Sequence, residues 1–190
     1  ATIYQISEDK LLKESSPINP INPYGQTKLA IERLLRDLSG KGNDWRIANL
    51  RYFNPIGAHQ SGLIGENPKG SKNNIFPILN SVASGEIEKL KIYGKNWSTY
   101  DGTGIRDYIH VSDLADIHLE VAKYLLRKSE SNLFNCGYGN GFSVLDVVNT
   151  VSYILGNAIP SDSQACAADI NSDGNIDVLD AVQIVQIILN

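Results

Sequence analysis

Asn22-Pro23-Tyr24-Gly25-Gln26-Thr27-Lys28-Leu29 (NPYGQTKL, 22–29) opens a stretch in which Ile31, Leu34, Leu35 and Leu38 recur at i, i+3, i+4 and i+7, the period of one helix face. Asn22-Pro23 supplies a start and Gly40 with Gly42 a stop, so a helix is expected from about Tyr24 to just before Gly40. Tyr24 and Lys28 then lie one turn apart on one face, within reach of a common ligand. A phenol with an ordinary pKa of about 10 is a poor base at neutral pH, and a neighbouring ammonium favours the phenolate. The pair therefore reads as a candidate acid-base tyrosine with its lysine. Spacing alone is not distinctive, because Tyr124 and Lys128 repeat it at the end of a later helix, where a structural role is expected.

Working outward, Arg46 to Phe53 (RIANLRYF) is β-compatible and runs into Asn54-Pro55, as expected of a strand that ends in a functional loop. Ile75, Ile78, Leu79 and Val82, with Gly85 just beyond, mark a second helix, and Leu90 to Tyr93 reads as a short strand. Ser112-Asp113 is expected to cap a third helix whose Leu114, Ile117, Val121 and Leu125 share one face. Helix and strand alternate, which favours an α/β architecture. His59 and His110 read as loop and packing residues, and Asp107, Asp113 and Asp116 as turn, cap and solvated helix positions.

The 190 residues are 42% hydrophobic and 20% charged with a net charge of -4, within the range of globular proteins. Lys and Arg are scattered rather than striped, so no nucleic-acid partner is expected. No apolar run approaches the roughly 18 residues that span a bilayer and no leader opens the chain, so neither membrane insertion nor secretion is expected. Cys136 and Cys166 are too few for a disulfide framework and lack a zinc-ligand pattern. The chain contains no methionine, and is therefore expected to be a fragment or a processed form.

The string around Tyr24, followed by Leu50-Arg51-Tyr52-Phe53-Asn54-Pro55-Ile56-Gly57-Ala58-His59, resembles the UDP-glucose 4-epimerases of the extended short-chain dehydrogenase/reductase family. The resemblance continues through Gly65-Glu66, Asn73-Asn74, Asp101-Gly102-Thr103-Gly104-Ile105-Arg106-Asp107-Tyr108-Ile109-His110-Val111, Phe134-Asn135 and Ser143-Val144-Leu145, from residue 1 to about 149. It implies a partial Rossmann-like fold and NAD-dependent inversion at C4 of a UDP-sugar through a 4-keto sugar. In that reading Tyr24 and Lys28 are catalytic and, with Tyr52 and Phe53, also contact the cofactor. Asn54, Asn73, Asn74 and Arg106 match positions that hold the UDP-sugar, with Arg106 on the diphosphate. The resemblance also implies a homodimer and a cytoplasmic setting. No glycine-rich pyrophosphate turn precedes Tyr24, and the family's catalytic serine would fall just before Ala1. The chain by itself is thus expected to be loosely folded, unable to retain NAD and not competent alone.

The tail follows another pattern. Ser143 to Asn157 and Asp177 to Asn190 read as the same helix written twice, 34 residues apart, each with a Ser or Asp cap and an Asp three residues later. Between them, Asp169, Asn171, Asp173, Asn175, Asp177 and Asp180 place oxygen donors along a loop with Gly174 at its bend, the donor pattern of a Ca²⁺ site. This segment resembles a dockerin repeat, an EF-hand-like helical module that binds cohesin partners. The expected organisation is an epimerase-like part, 1–149, and a dockerin-like tail, 150–190, sharing the text 143–149.

Overall fold

The computed structural model describes residues 1–5, 11–40, 44–66, 68–128 and 130–154, and the tail loop from Asp169 to Asp180, expected from sequence to hold Ca²⁺, lies outside them. In chain order the elements are α1 (Pro23–Ser39), β1 (Ala48–Tyr52), β2 (Asn54–Ile56), α2 (Ile75–Ala83), β3 (Ile105–His110), α3 (Val111–Lys128), β4 (Asn132–Cys136), β5 (Gly141–Ser143) and α4 (Val144–Ile154). The three helices expected before the tail and the first of the two tail helices are present, while the second, Asp177 to Asn190, lies outside the described residues. Asn22 caps α1 by accepting from Gly25 N at 2.7 Å, with Pro23 at the first helical position. Pro77 is tolerated in α2 because it falls in the first turn, where backbone N–H groups have no helical acceptor. At α4, Ser143 Oγ accepts from Asp146 N at 3.0 Å while Asp146 Oδ2 accepts from Ser143 N at 2.9 Å, a reciprocal capping box. The helix runs continuously across residue 149.

Among the described residues, two small sheets carry these helices. β1 pairs with β4 in parallel, Ala48 opposite Asn132 and Tyr52 opposite Cys136. β2 pairs in parallel with β3, and β3 pairs antiparallel with β5. Only Phe53 separates β1 from β2, so the expected strand continues but changes sheets there. Alternation along β3 turns Tyr108 toward one core, with Ile56, Leu79 and Val147, and Ile109 toward the other, with Leu114 and Cys136.

Two expectations are corrected. Leu90 to Tyr93 forms no strand: Leu90 packs on the first core, but no neighbouring strand pairs with the segment and Tyr93 is 84% exposed. α3 begins at Val111, which puts Ser112 and Asp113 inside its first turn rather than at its cap. The apolar stripe of α1 is largely uncovered among the described residues: Ile31, Leu34 and Leu38 are exposed while Leu29 is buried.

α1 is instead tied to the sheet by polar contacts. Arg51 on β1 is buried, and its guanidinium makes a two-point pair with Glu32 of α1 through Nε–Oε2 at 2.9 Å and Nη2–Oε1 at 2.6 Å. Nη1 donates to the Tyr4 hydroxyl at 2.7 Å and to the Glu14 carbonyl at 3.1 Å, and the guanidinium carbon stands 4.9 Å from the Tyr4 ring centroid. Tyr4 in turn donates to Asn135 Oδ1 on β4 at 2.5 Å. Although desolvation opposes its charge, the bonds to Glu32 and Tyr4 hold the Arg51 pKa above its ordinary value. Removing one partner of such a pair strands the other charge, at a cost of about 3–5 kcal/mol. Arg51→Met is therefore expected to lower the unfolding free energy by ~3 kcal/mol or more in urea titrations; a loss below ~1 kcal/mol would show that Glu32 finds solvent or another partner easily.

Candidate active site

Tyr24 is the second residue of α1, and the Lys28 ammonium lies 5.2 Å from the centre of its ring. The phenol is 61% exposed. An open, solvent-facing tyrosine with a cation beside it can meet a ligand and exchange a proton with it. The helix start that carries Tyr24 is set by close packing at Gly25: a Cβ there would stand 2.6 Å from the Thr2 carbonyl oxygen and 2.7 Å from Pro20 Cβ. Residues 1 and 2 also reach the end of β1, where the Ala1 amino group donates to the Tyr52 carbonyl oxygen. The start of α1 and the carboxyl end of β1 therefore share one short segment. In open α/β sheets, ligands bind beyond the carboxyl ends of parallel strands.

Phe53 links that end to the second sheet, its N–H donating to the Cys136 carbonyl oxygen at 3.1 Å. Its ring lies against Gly137, where a Cβ would meet Phe53 Cδ2 at 2.7 Å and Asp107 Oδ2 at 2.5 Å. Asp107, read from sequence as a turn residue, sits inside β3. It accepts from Tyr138 N at 3.1 Å and Gly139 N at 2.8 Å, fixing the turn after β4. Burial pushes its pKa up, against those two N–H groups, which pull it down.

Asn54 opens β2 opposite Tyr108, and Arg106 lies two residues before Tyr108 on β3. Arg106 is exposed, with Nη1 donating to the Ile105 carbonyl oxygen at 2.8 Å. Asn73 and Asn74 stand at the start of α2, where Asn74 Nδ2 donates to Glu66 Oε1 at 2.8 Å rather than capping the helix. Phe76 packs edge to face on Tyr108, with centroids 6.3 Å apart, and so ties the α2 start to the β2–β3 pair. Two groups of site residues result: Tyr24, Lys28 and Tyr52 around the first sheet, and Asn54, Arg106, Asn73 and Asn74 around the second.

The profile of the NAD dependent epimerase/dehydratase family matches residues 2–137. The chain belongs to this family. It is 46% identical over 160 residues to a UDP-glucose 4-epimerase of Bacillus subtilis, covering 84% of this chain and 47% of that protein. It is also 46% identical over 161 residues to UDP-glucose 4-epimerase 2 of Arabidopsis thaliana, covering 84% of this chain and 46% of the relative. Among solved structures it matches the UDP-glucose 4-epimerase of Bifidobacterium longum in complex with NAD+ and UDP, with a TM-score of 0.78, 43% identity, and coverage of 84% of this chain and 48% of that one. An enzyme from Stenotrophomonas maltophila with bound NAD and formylated UDP-arabinopyranose matches with a TM-score of 0.78 and 41% identity over 84% of this chain and 48% of its own. The fold is thus the Rossmann-like α/β fold of the family, and the chain spans about half the length of the curated relatives it matches. Among the described residues, no helix is long and apolar enough to cross a membrane, and no His, Cys, Asp and Glu group is placed to hold a metal.

Sequence reasoning missed Arg51, Glu32, Tyr4 and Asn135, which hold the family helix in place, and His118, which bonds Tyr52. Only their tertiary neighbours distinguish them from ordinary surface residues. Cys136 is free and buried, and burial pushes its thiol up to about 11, so it stays a packing residue. Gly25→Ala tests the placement of Tyr24. The added methyl must push residues 2 or 20 aside, and thermal unfolding should record a loss of about 1–3 kcal/mol. A variant as stable as the parent would mean that the α1 start has room to shift.

Proposed function

We propose that this chain contributes the acid-base and UDP-sugar-binding portion of a UDP-glucose 4-epimerase, which inverts C4 of UDP-glucose or UDP-galactose. The observation that carries this reading is the exposed Tyr24 phenol with the Lys28 ammonium 5.2 Å from its ring, at the N-terminal turn of α1. NAD, when bound, supplies a hydride acceptor and donor at C4. Tyr24 takes the proton of the 4-hydroxyl as hydride leaves, and gives it back when the 4-keto sugar has turned over and is reduced on its other face. Lys28 offers its charge to the phenolate as it forms and a donor to the cofactor ribose. The open setting of Tyr24 and Lys28 near the carboxyl end of β1 fits a nicotinamide ribose. Tyr52 and Phe53 border the nicotinamide, while Asn54, Asn73, Asn74 and Arg106 hold the UDP-sugar, Arg106 by charge-assisted bonds to diphosphate. The similarity to UDP-glucose 4-epimerases, one of them solved in complex with NAD+ and UDP, supports the same assignment.

A homodimer of the intact enzyme belongs to this proposal, with the exposed Ile31, Leu34 and Leu38 of α1 as the surface available to the second copy. A cytoplasmic setting, where UDP-sugars and NAD are made, belongs to it as well. The dockerin-like segment 150–190 is proposed to bind one Ca²⁺ through Asp169, Asn171, Asp173, Asn175, Asp177 and Asp180, and with it a cohesin-like partner. Sequence pattern alone supports that part.

The decisive experiment combines this chain with the N-terminal half of the Bacillus subtilis relative and follows UDP-galactose conversion with NAD present. Conversion is expected, and Tyr24→Phe in the same mixture should lower kcat by about 10²-fold or more with NAD affinity little changed. Unaltered turnover in Tyr24→Phe would remove the tyrosine from the chemistry. For the tail, Ca²⁺ titration should raise helicity in circular dichroism and chelator should reverse it; a spectrum indifferent to both would dispose of the calcium site.

A further inference from the structure

Tyr52 ends β1, and its hydroxyl lies 2.6 Å from His118 Nε2 on α3. The two rings meet edge to face, with centroids 5.5 Å apart and planes at 63°. On its other side, His118 Nδ1 lies 2.6 Å from the Leu114 carbonyl oxygen one turn earlier in the same helix. A carbonyl oxygen can only accept, so Nδ1 carries the ring proton, and Nε2 of the neutral imidazole presents a lone pair. In the neutral ring the Tyr52 hydroxyl is then the donor. Burial first, and the nearby Cys136 second, push the Tyr52 pKa up, which keeps the phenol protonated for that role.

The result is a directed chain of bonds from Tyr52 through His118 to the backbone of α3. Tyr52 is 37% exposed, and a side chain that open would otherwise exchange rotamers freely. The His118 ring removes that freedom by taking both the hydroxyl and one ring edge. Tyr52 also stands level with Cys136 at the carboxyl ends of the parallel pair β1–β4, the side of a parallel sheet on which cofactors lie. Resting on the proposed function above, we infer that His118 is a positioning residue: it sets the Tyr52 ring beside the nicotinamide and leaves the hydroxyl committed away from the substrate.

The test uses the complemented, NAD-loaded assembly and measures NAD affinity and turnover separately for His118→Phe, His118→Gln, Tyr52→Phe and the double variant His118→Phe with Tyr52→Phe. Losing the hydrogen bond in His118→Phe should weaken NAD binding roughly tenfold. His118→Gln, whose amide oxygen can accept from Tyr52, should stay within about threefold of the parent. The double variant should be no worse than Tyr52→Phe alone, because both changes break the same contact. Unchanged NAD affinity in His118→Phe, or effects of the two single changes that simply add, would overturn the inference. Nitrogen-15 spectra of the chain itself, which has three histidines, read the tautomer without any cofactor. A proton on His118 Nδ1 is expected, and one on Nε2 alone refutes the bond chain. If the unmodified assembly binds no NAD, the proposed function fails first and takes this inference with it; if it binds NAD while His118 proves indifferent, only the inference fails.

Discussion

The Arg51 guanidinium is the contact on which the rest of the arrangement leans. It lies on β1, is almost wholly buried, and holds Glu32 of α1 with two parallel bonds while reaching Tyr4 with a third. An ion pair out of water is held in place by its geometry, since any drift leaves a charge without a partner. α1 is therefore fixed in rotation as well as position, although most of its apolar stripe touches nothing among the described residues. Helical phase is what presents Tyr24 and Lys28 outward together. The same guanidinium, through Tyr4 and Asn135, draws β4 into the network, so helix, strand pair and N-terminal segment are positioned by one set of hydrogen bonds.

A second constraint is the handover at Phe53. β1 and β2 are consecutive in sequence but belong to different sheets, and the single residue between them sends the chain from the candidate cofactor side to the candidate sugar side. β3 braces the turn. Its Tyr108 and Ile109 face two different cores, while Asp107 holds the 137–139 turn against Phe53. Tyr52 of the first group and Asn54 of the second are thereby held apart by one residue of ordered backbone, which fixes their separation.

The parallel β1–β4 pair is unusually open. Parallel strands are ordinarily buried on both sides, yet among the described residues β1 has a strand neighbour only in β4. The relatives it matches are about twice as long. Strong polar ties and exposed apolar positions such as Ile31 and Leu34 thus occur side by side in the described residues.

Local pattern carried much of this in the amino-acid sequence. The four helices α1 to α4, the strand before Asn54-Pro55, the Ser143–Asp146 capping box and the Tyr24–Lys28 spacing were legible because each depends on residues within a few positions of one another. The short strands β3, β4 and β5 were not, since three to six residues carry little periodicity and become strands only when a partner supplies hydrogen bonds. Leu90 to Tyr93 shows the converse, a β-compatible run that finds no partner. Arg51 looked like any strand residue and His118 like any polar position on a helix surface. Their roles arise from neighbours 19 and 66 residues away, and the energy of a buried ion pair or a directed hydrogen bond exists only once folding has removed the water between such groups.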